Sequence, residues 1–216
     1  MPNLFFYITI ASTLTAFLYK KKWENTKNQY FVYFLFFTFL IDKICYLNRL
    51  FHVISIDGMN NNNPFYNFYS VVTFLFFLIY YKFQFKKQYF KNTMNWFLGL
   101  FVIVAVYELF YLKTSLLNGF FMPTTIFGSL LFIITLLLFL YEIIVNKHII
   151  FNVEKSLIFW ISIGCLLFYI GVIPIVISYK RLNVDGLFDI VLNILNSIAH
   201  LCFIIGFIFS DKKYNY

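Results

Sequence analysis

The chain alternates between long apolar runs and brief polar punctuation. Seven runs stand out: Asn3–Tyr19, Tyr30–Phe51, Pro64–Tyr81, Asn95–Leu112, Phe121–Ile144, Ser156–Ser178 and Gly186–Ser210. A helix needs about 20 mostly apolar residues to cross a bilayer core, and these runs bracket that length. The segments between them hold about a dozen residues or fewer, the size of helix–helix connections. Pro64, Pro123 and Gly186 sit where a helix start tolerates them. Pro174 falls near the end of the sixth run and predicts a kink there. The pattern therefore predicts an all-α polytopic membrane protein, a bundle of seven transmembrane helices forming a single domain over residues 1–216.

The first run is short enough to raise the question of a cleaved signal. Met1-Pro2-Asn3 carries no basic residue, and Lys20-Lys21-Lys22 follows the apolar stretch instead of preceding it. That order is the reverse of a secretory signal and predicts a retained first helix with its N-terminus outside. The remaining basic residues extend the prediction. Alternating helices place Lys20, Lys21, Lys22, Lys27, Lys82, Lys86, Lys87, Lys91, Lys147, Lys155, Lys212 and Lys213 on one side. The other side receives only Lys113, Lys180 and Arg181. Lysine and arginine collect on the cytoplasmic face, so the C-terminus is expected in the cytoplasm and the protein in the cytoplasmic (inner) membrane. Tyr19, Trp23, Tyr30, Tyr80, Tyr81 and Trp96 cluster at the inner ends, and Tyr66, Tyr69, Tyr107, Tyr111 and Tyr179 at the outer ends. Both sets suit interfacial belts.

Composition agrees. Hydrophobic residues make up 62% and charged residues 12% of the chain, and mean hydropathy is +0.79. No water-soluble fold of this size could hide so much apolar surface. The net charge of +8 would suggest nucleic acid in a soluble protein, but the sidedness of the lysines accounts for it here. There is no phosphate-binding loop, dinucleotide fingerprint or basic recognition helix, so the lipid bilayer is the implied partner and nucleic acid is not. Cys45, Cys165 and Cys202 all lie in apolar runs, where thiols behave as small hydrophobes, and their spacing fits neither a disulfide framework nor zinc. The Phe-rich composition is what an AT-rich genome would encode.

Ionisable groups at membrane depth are costly and usually face protein or a wet cavity. The second run holds Asp42 and Lys43 near its midpoint, then Asn48, Arg49 and His52 toward its outer end. Asp42, Tyr46 and Arg49 are spaced i, i+4, i+7 and are expected on one face. The fourth run adds Glu108, the third Asn67 and Ser70, and the fifth Thr124, Thr125 and Ser129. The last run carries Asp189, Asn193, Asn196 and His200 at i, i+4, i+7, i+11, a single polar stripe. At a rise of ~1.5 Å per residue, Arg49 and Asp189 lie at one level, with Asp42, Asn196 and His200 close to the midplane. These positions predict a ligand or ion cavity in the outer half of the bundle, formed by Asp42, Lys43, Arg49, Glu108, Asp189, Asn193, Asn196 and His200. The competing reading makes the same residues hydrogen-bonded glue between helices. His148 and Glu142 fall at the cytoplasmic edge and read as solvated.

Catalytic chemistry finds little support. A zinc hydrolase needs about three histidines and an acid, yet His52, His148 and His200 do not fall on one side. The last run has no lysine for a Schiff base, and no Ser or Cys nucleophile has a base at matching depth. No catalytic residue, metal or cofactor is assigned.

Asn63-Pro64-Phe65-Tyr66 opening the third helix, Phe159-Trp160 early in the sixth, and an Asn-bearing last helix (Asn193, Asn196) with a short Lys tail resemble a group of small seven-helix membrane proteins of Bacteroidota type. That resemblance implies fold and location and carries no activity. The layout also looks like the membrane sensor modules of some signalling proteins, at fold level only. Three functions follow as expectations: a sensor or accessory protein that passes a signal to a separate cytoplasmic or membrane partner; a small-solute or ion transporter or channel with Asp42, Lys43 and His200 as coupling groups; and an intramembrane lipid-modifying enzyme.

Overall fold

In an apolar medium an unpaired N–H or C=O has no water to turn to, and a helix pairs these groups within its own segment. The apolar runs accordingly form helices throughout the computed structural model, which describes residues 4–51, 55–56, 59–60, 62–111, 120–145, 153–178 and 187–214. In chain order they are α1 (Leu4–Leu18), α2 (Lys20–Trp23), α3 (Gln29–Phe51), α4 (Asn63–Gln84), α5 (Gln88–Tyr111), α6 (Met122–Val145), α7 (Leu157–Ile177) and α8 (Leu187–Phe209). Short 3-10 turns occupy Val153–Lys155 and Lys212–Tyr214. Two-residue strands, β1 (Ser55–Ile56) and β2 (Met59–Asn60), pair antiparallel between α3 and α4.

Six of these helices, α3 to α8, are long and apolar enough to cross a membrane among the described residues, and α1 is a shorter apolar helix. Its 15 residues rise only ~22 Å. Tyr19 tightens the chain at its end, where Tyr19 N–H still bonds Thr15 O at 3.0 Å but Lys22 N–H reaches back only three residues, to Tyr19 O. Helix α2 then follows almost without a break. Exposed Leu, Ile and Phe side chains run along the long helices, such as Ile103 and Phe110 on α5 and Ile170 and Ile177 on α7. Fully buried positions meanwhile include Ser12, Asn67, Glu108 and Ser129. That distribution suits an apolar solvent.

One boundary departs from the sequence expectation. Helix α5 begins at Gln88, seven residues before Asn95, because Phe90 and Met94 stand one turn apart and are both buried. Phe90 meets Phe85 across the connection, ring centroids 5.2 Å apart. Hydropathy marks where the bilayer segment begins, whereas packing decides where the helix begins. Helix α7 continues through Pro174 to Ile177, and Ser178 N–H closes its last turn on Pro174 O at 3.0 Å.

The chain divides into two compact units, one made of residues up to Leu35 together with those from Leu136 onward, the other of Phe36–Thr135. In the first unit α8 packs against both α7 and α1. Small residues set that approach: a Cβ added at Gly164 would lie 2.9 Å from Cys202 Cβ, and one at Gly206 would lie 2.8 Å from Trp160 Cβ. Phe31 fills the same core, edge-on to Phe203 at 5.0 Å and stacked on Phe207 at 6.2 Å. In the second unit α4 packs against α5, with Phe74 and Phe101 rings 5.5 Å apart, and Phe77 stacks on Phe132 of α6 at 4.5 Å. Hydroxyls that would otherwise be stranded bond back to their own helix, as Thr13 does to Thr9 O, Ser129 to Thr125 O and Ser162 to Ile158 O.

The glycine contacts lead to a paired prediction. Gly164→Val should destabilise the detergent-solubilised protein by about 1–3 kcal/mol in thermal unfolding, because the added methyls meet α8 backbone and Cys202. Gly99→Ala, where nothing lies within 4 Å of an added Cβ, should be neutral or stabilising by up to ~1 kcal/mol. Equal melting of the two variants would contradict this account of the α7–α8 contact.

Candidate functional site

In the second unit the C-terminal half of α3 and the start of α4 gather a set of polar groups. Asn62 supplies the first hinge of the cluster. It stands at the N-cap of α4 but makes no side-chain cap bond. Its side chain crosses to α3 instead, accepting from Asn48 Nδ2 through Oδ1 at 2.8 Å and donating through Nδ2 to Cys45 O at 3.3 Å. One turn into α4, the Tyr66 hydroxyl is within hydrogen-bonding reach of the Cys45 thiol. Asp42 and Arg49 both act electrostatically on Cys45 and Tyr66, so the four side chains share one neighbourhood. Within it, Asp42 Oδ2 is buried and makes no hydrogen bond.

The buried face of α3 differs from the expected one. Ile41, Cys45 and Asn48 are buried, with Asp42 half-buried beside them, while Tyr46 and Arg49 are exposed. The i, i+4, i+7 spacing puts residues on a common face without saying how wide the buried stripe is, and here the stripe is centred on Cys45. Lys43 lies to the side and places its ammonium 5.3 Å from the centre of the Phe39 ring. Cys45, Tyr66 and Asn62 are therefore members that the sequence reading did not assign. The three-residue step from Asp42 to Cys45 was one signal for them. The asparagine just before a helix-starting Asn-Pro was another, because Asn at that place is a capping residue with a side chain to spend.

Glu108 has a different employment. Helix α6 starts at Met122 with Pro123 next, so its opening N–H groups belong to Phe121, Met122 and Thr124. Asn67 Oδ1 of α4 accepts from Phe121 N–H at 2.9 Å, and Glu108 Oε2 of α5 accepts from Thr124 N–H at 2.7 Å. Met122 N–H bonds Phe120 O at 2.8 Å, and Thr125 N–H begins the regular ladder on Phe121 O at 2.9 Å. Every opening donor is thus met, two of them by side chains from neighbouring helices. A carboxylate at a helix N-terminus is also favoured by the helix dipole. Both Asn67 and Glu108 are fully buried.

The polar stripe of the last helix lies in the first unit. His200 is buried, with Nδ1 2.6 Å from Ser12 Oγ of α1. Ser12 Oγ is also 3.0 Å from Thr9 O, and it has one proton for two acceptors. Donated to Thr9 O, that proton leaves Oγ to accept from Nδ1–H; donated to Nδ1, it sets the tautomer with the proton on Nε2. Phe203 stands edge-on to the imidazole at 5.4 Å. Asn193 and Asn196 are half-buried, and the main-chain carbonyl of Asn193 accepts the Ser197 hydroxyl at 2.7 Å. Asp189 belongs to the first turn of α8, but its side chain lies outside the described residues, as do His52 and His148. The expected level match between Arg49 and Asp189 falls there too.

Chemically, the Asp42 neighbourhood offers a carboxyl group, a thiol, a phenol and a guanidinium. Among the described residues no group of three or more His, Cys, Asp or Glu side chains is placed to hold a metal ion. A groove of about 290 Å³ between α4 and α5 is lined by apolar side chains such as Val71, Phe101 and Val106, with Asn67 and Phe121 at its edge; Asp42, Cys45 and Arg49 do not line it. Comparison with family models, with curated proteins and with solved structures finds no match to the chain.

The α6 cap can be tested directly. Glu108→Ala should cost about 1–3 kcal/mol in thermal unfolding, since it strands a buried N–H, and Asn67→Ala should cost about the same. Glu108→Gln keeps an acceptor and should recover most of the loss. A Glu108→Gln variant as unstable as Glu108→Ala would mean that the charge, and not the hydrogen bond, matters at this helix end.

Proposed function

We propose that the protein is a multi-pass membrane sensor or accessory protein that receives a small polar ligand, most simply a cationic one, at the Asp42 neighbourhood. One observation carries this reading: a carboxylate oxygen of Asp42 is buried within a helix of membrane-spanning length and makes no hydrogen bond. Burying a carboxylate without compensation is expensive. A proton or a positively charged ligand would supply what the cluster leaves unmet, with Tyr66 in the same neighbourhood. The companion reading is a small-solute or ion transporter with Asp42, Lys43 and His200 as coupling groups. It is favoured by the position of Asp42, two residues and so ~3 Å along the axis from the centre of α3.

The same proposal includes seven crossings, with α1 as the first, the N-terminus outside and the C-terminus in the cytoplasm of a cell whose inner membrane holds the protein. The lysine asymmetry supports that orientation. A sensor of this kind would act through a separate membrane or cytoplasmic partner.

Asp42→Asn separates these readings from a structural role. Because Asp42 Oδ2 makes no hydrogen bond within the chain, the variant should melt at the same or a higher temperature than the wild type, gaining up to roughly 1–3 kcal/mol. It should also lose any stabilisation that the wild type shows with small ammonium compounds such as choline or ethanolamine. Marked destabilisation by Asp42→Asn, with identical responses to the ammonium panel, would instead assign Asp42 to holding the helices together. In proteoliposomes, pH-dependent solute uptake abolished by Asp42→Asn would favour transport over sensing.

A further inference from the structure

A second polar feature, independent of the Asp42 neighbourhood, lies at one end of the first unit. All lysines of that unit whose placement is described collect there: Lys20, Lys21, Lys22 and Lys27 around α2, Lys155 in one 3-10 turn, and Lys212 and Lys213 in the other. The three segments are far apart in sequence and tied together in space. Asp211 N–H bonds Lys155 O at 2.8 Å, Lys212 Nζ donates to Glu24 O at 3.0 Å, and Lys22 Nζ donates to Ser210 O. Seven lysines share the corner with three carboxylates, Glu24, Glu154 and Asp211. Glu142, the other acid of this unit with a described side chain, is buried.

Two of these lysines are spent on closing helix ends, because Lys22 and Lys212 give their protons to main-chain carbonyls. Lys21, Lys155 and Lys213 are exposed, and the last two carry their ammonium groups 5.4 Å and 5.9 Å from the centre of one ring, Tyr214. Aromatic groups frame the corner: Trp160 donates its indole N–H to Glu154 O at 2.7 Å, and Lys20 stands 4.9 Å from the Tyr33 ring centre. Beside the Lys22–Ser210 bond, two polar groups are buried with no hydrogen-bond partner, Trp23 Nε1 and Ser210 Oγ.

We propose that this corner binds the phosphate of an anionic phospholipid headgroup. The charge has the right sign, and the corner stands at the ends of α7 and α8, where headgroups meet a spanning helix. The ammonium groups of Lys155 and Lys213 converge over one Tyr ring, so they are gathered on one side of the corner instead of dispersed. Cation-bearing side chains beside aromatic rings and helix ends supply charge-assisted hydrogen bonds to phosphodiester oxygens. Exposed lysines act as point charges here, and the interfacial rings hold the glycerol level of the lipid against the protein.

The test uses the full chain in nanodiscs of phosphatidylcholine with or without phosphatidylglycerol, and native mass spectrometry counts retained phosphatidylglycerol. Wild-type protein should retain it. The triple variant Lys21→Gln, Lys155→Gln, Lys213→Gln should bind roughly a hundredfold more weakly, taking about fivefold for each lysine at a membrane surface. These side chains are exposed, and circular dichroism verifies that the variant is folded. The charge-matched triple Lys82→Gln, Lys86→Gln, Lys87→Gln in the other unit should keep its phosphatidylglycerol. Equal loss in both triples, or loss in neither, would overturn the site. Inorganic phosphate added to the protein in uncharged detergent should leave its melting unchanged. Stabilisation by phosphate equal to that by phosphatidylglycerol would overturn the assignment to a lipid.

Discussion

The constraint on which this structure depends is the absence of water from the medium its helices are built for. In hydrocarbon a polar group finds its partner within the chain or goes without. The helices meet most of that demand internally, and Thr13, Ser129, Thr135 and Ser162 meet theirs by bonding back one turn on their own helix. What remains is a short set of groups that must reach another element: Asn62 to α3, Asn67 and Glu108 to the start of α6, and Ser12 to His200. Those crossings, added to the small-residue contacts of Gly164 and Gly206, hold neighbouring helices in register in a solvent that gives no hydrophobic drive for their association.

The start of α6 shows how the demand of backbone donors is met. A proline at the second position removes one donor, a local turn takes another, and two side chains borrowed from α4 and α5 take the rest. Asp42 Oδ2 and Glu108 Oε1 are both buried without a hydrogen bond, but Glu108 meets Thr124 N–H through its other oxygen. The setting of Asp42 in α3 has the ingredients of a network, with Asn48, Asn62, Cys45 and Tyr66 close by, and yet Oδ2 is left over. A buried acidic oxygen left without a partner makes such a setting more costly than an apolar core.

Most of the architecture was legible in the residues because membrane length and apolarity are strong, additive signals. The runs beginning at Tyr30, Pro64, Phe121, Ser156 and Gly186 fall within a few residues of α3, α4, α6, α7 and α8. The start of α5 was not legible, since Gln88–Met94 is too polar to look like a span and is helical because Phe90 and Met94 are buried. At the candidate site, Asp42 could be singled out from its chemistry alone, because a carboxylate in an apolar run is rare whatever surrounds it. The roles of Glu108 and Asn67 could not. A cap supplied from another helix leaves no periodicity in the capped segment and depends on where three helices meet. Likewise the face of α3 that is buried, centred on Cys45 instead of Tyr46, depends on which neighbour arrives and not on the spacing of charges.

The two units also differ in when their residues become available. Asn67 and Glu108 leave the ribosome ahead of Phe121 and Thr124, so the acceptors for α6 exist before the helix they receive. The second unit, Phe36–Thr135, is one uninterrupted stretch and can assemble as it emerges. The first unit is closed by partners 188 residues apart, Ser12 with His200 and Lys22 with Ser210. Its earliest helix therefore waits for α8 before Ser12 Oγ meets His200, and until then holds only Thr9 O of its own turn. A chain truncated before α8 would leave that early segment without its mate, a form that quality control could single out from a chain that contains α8.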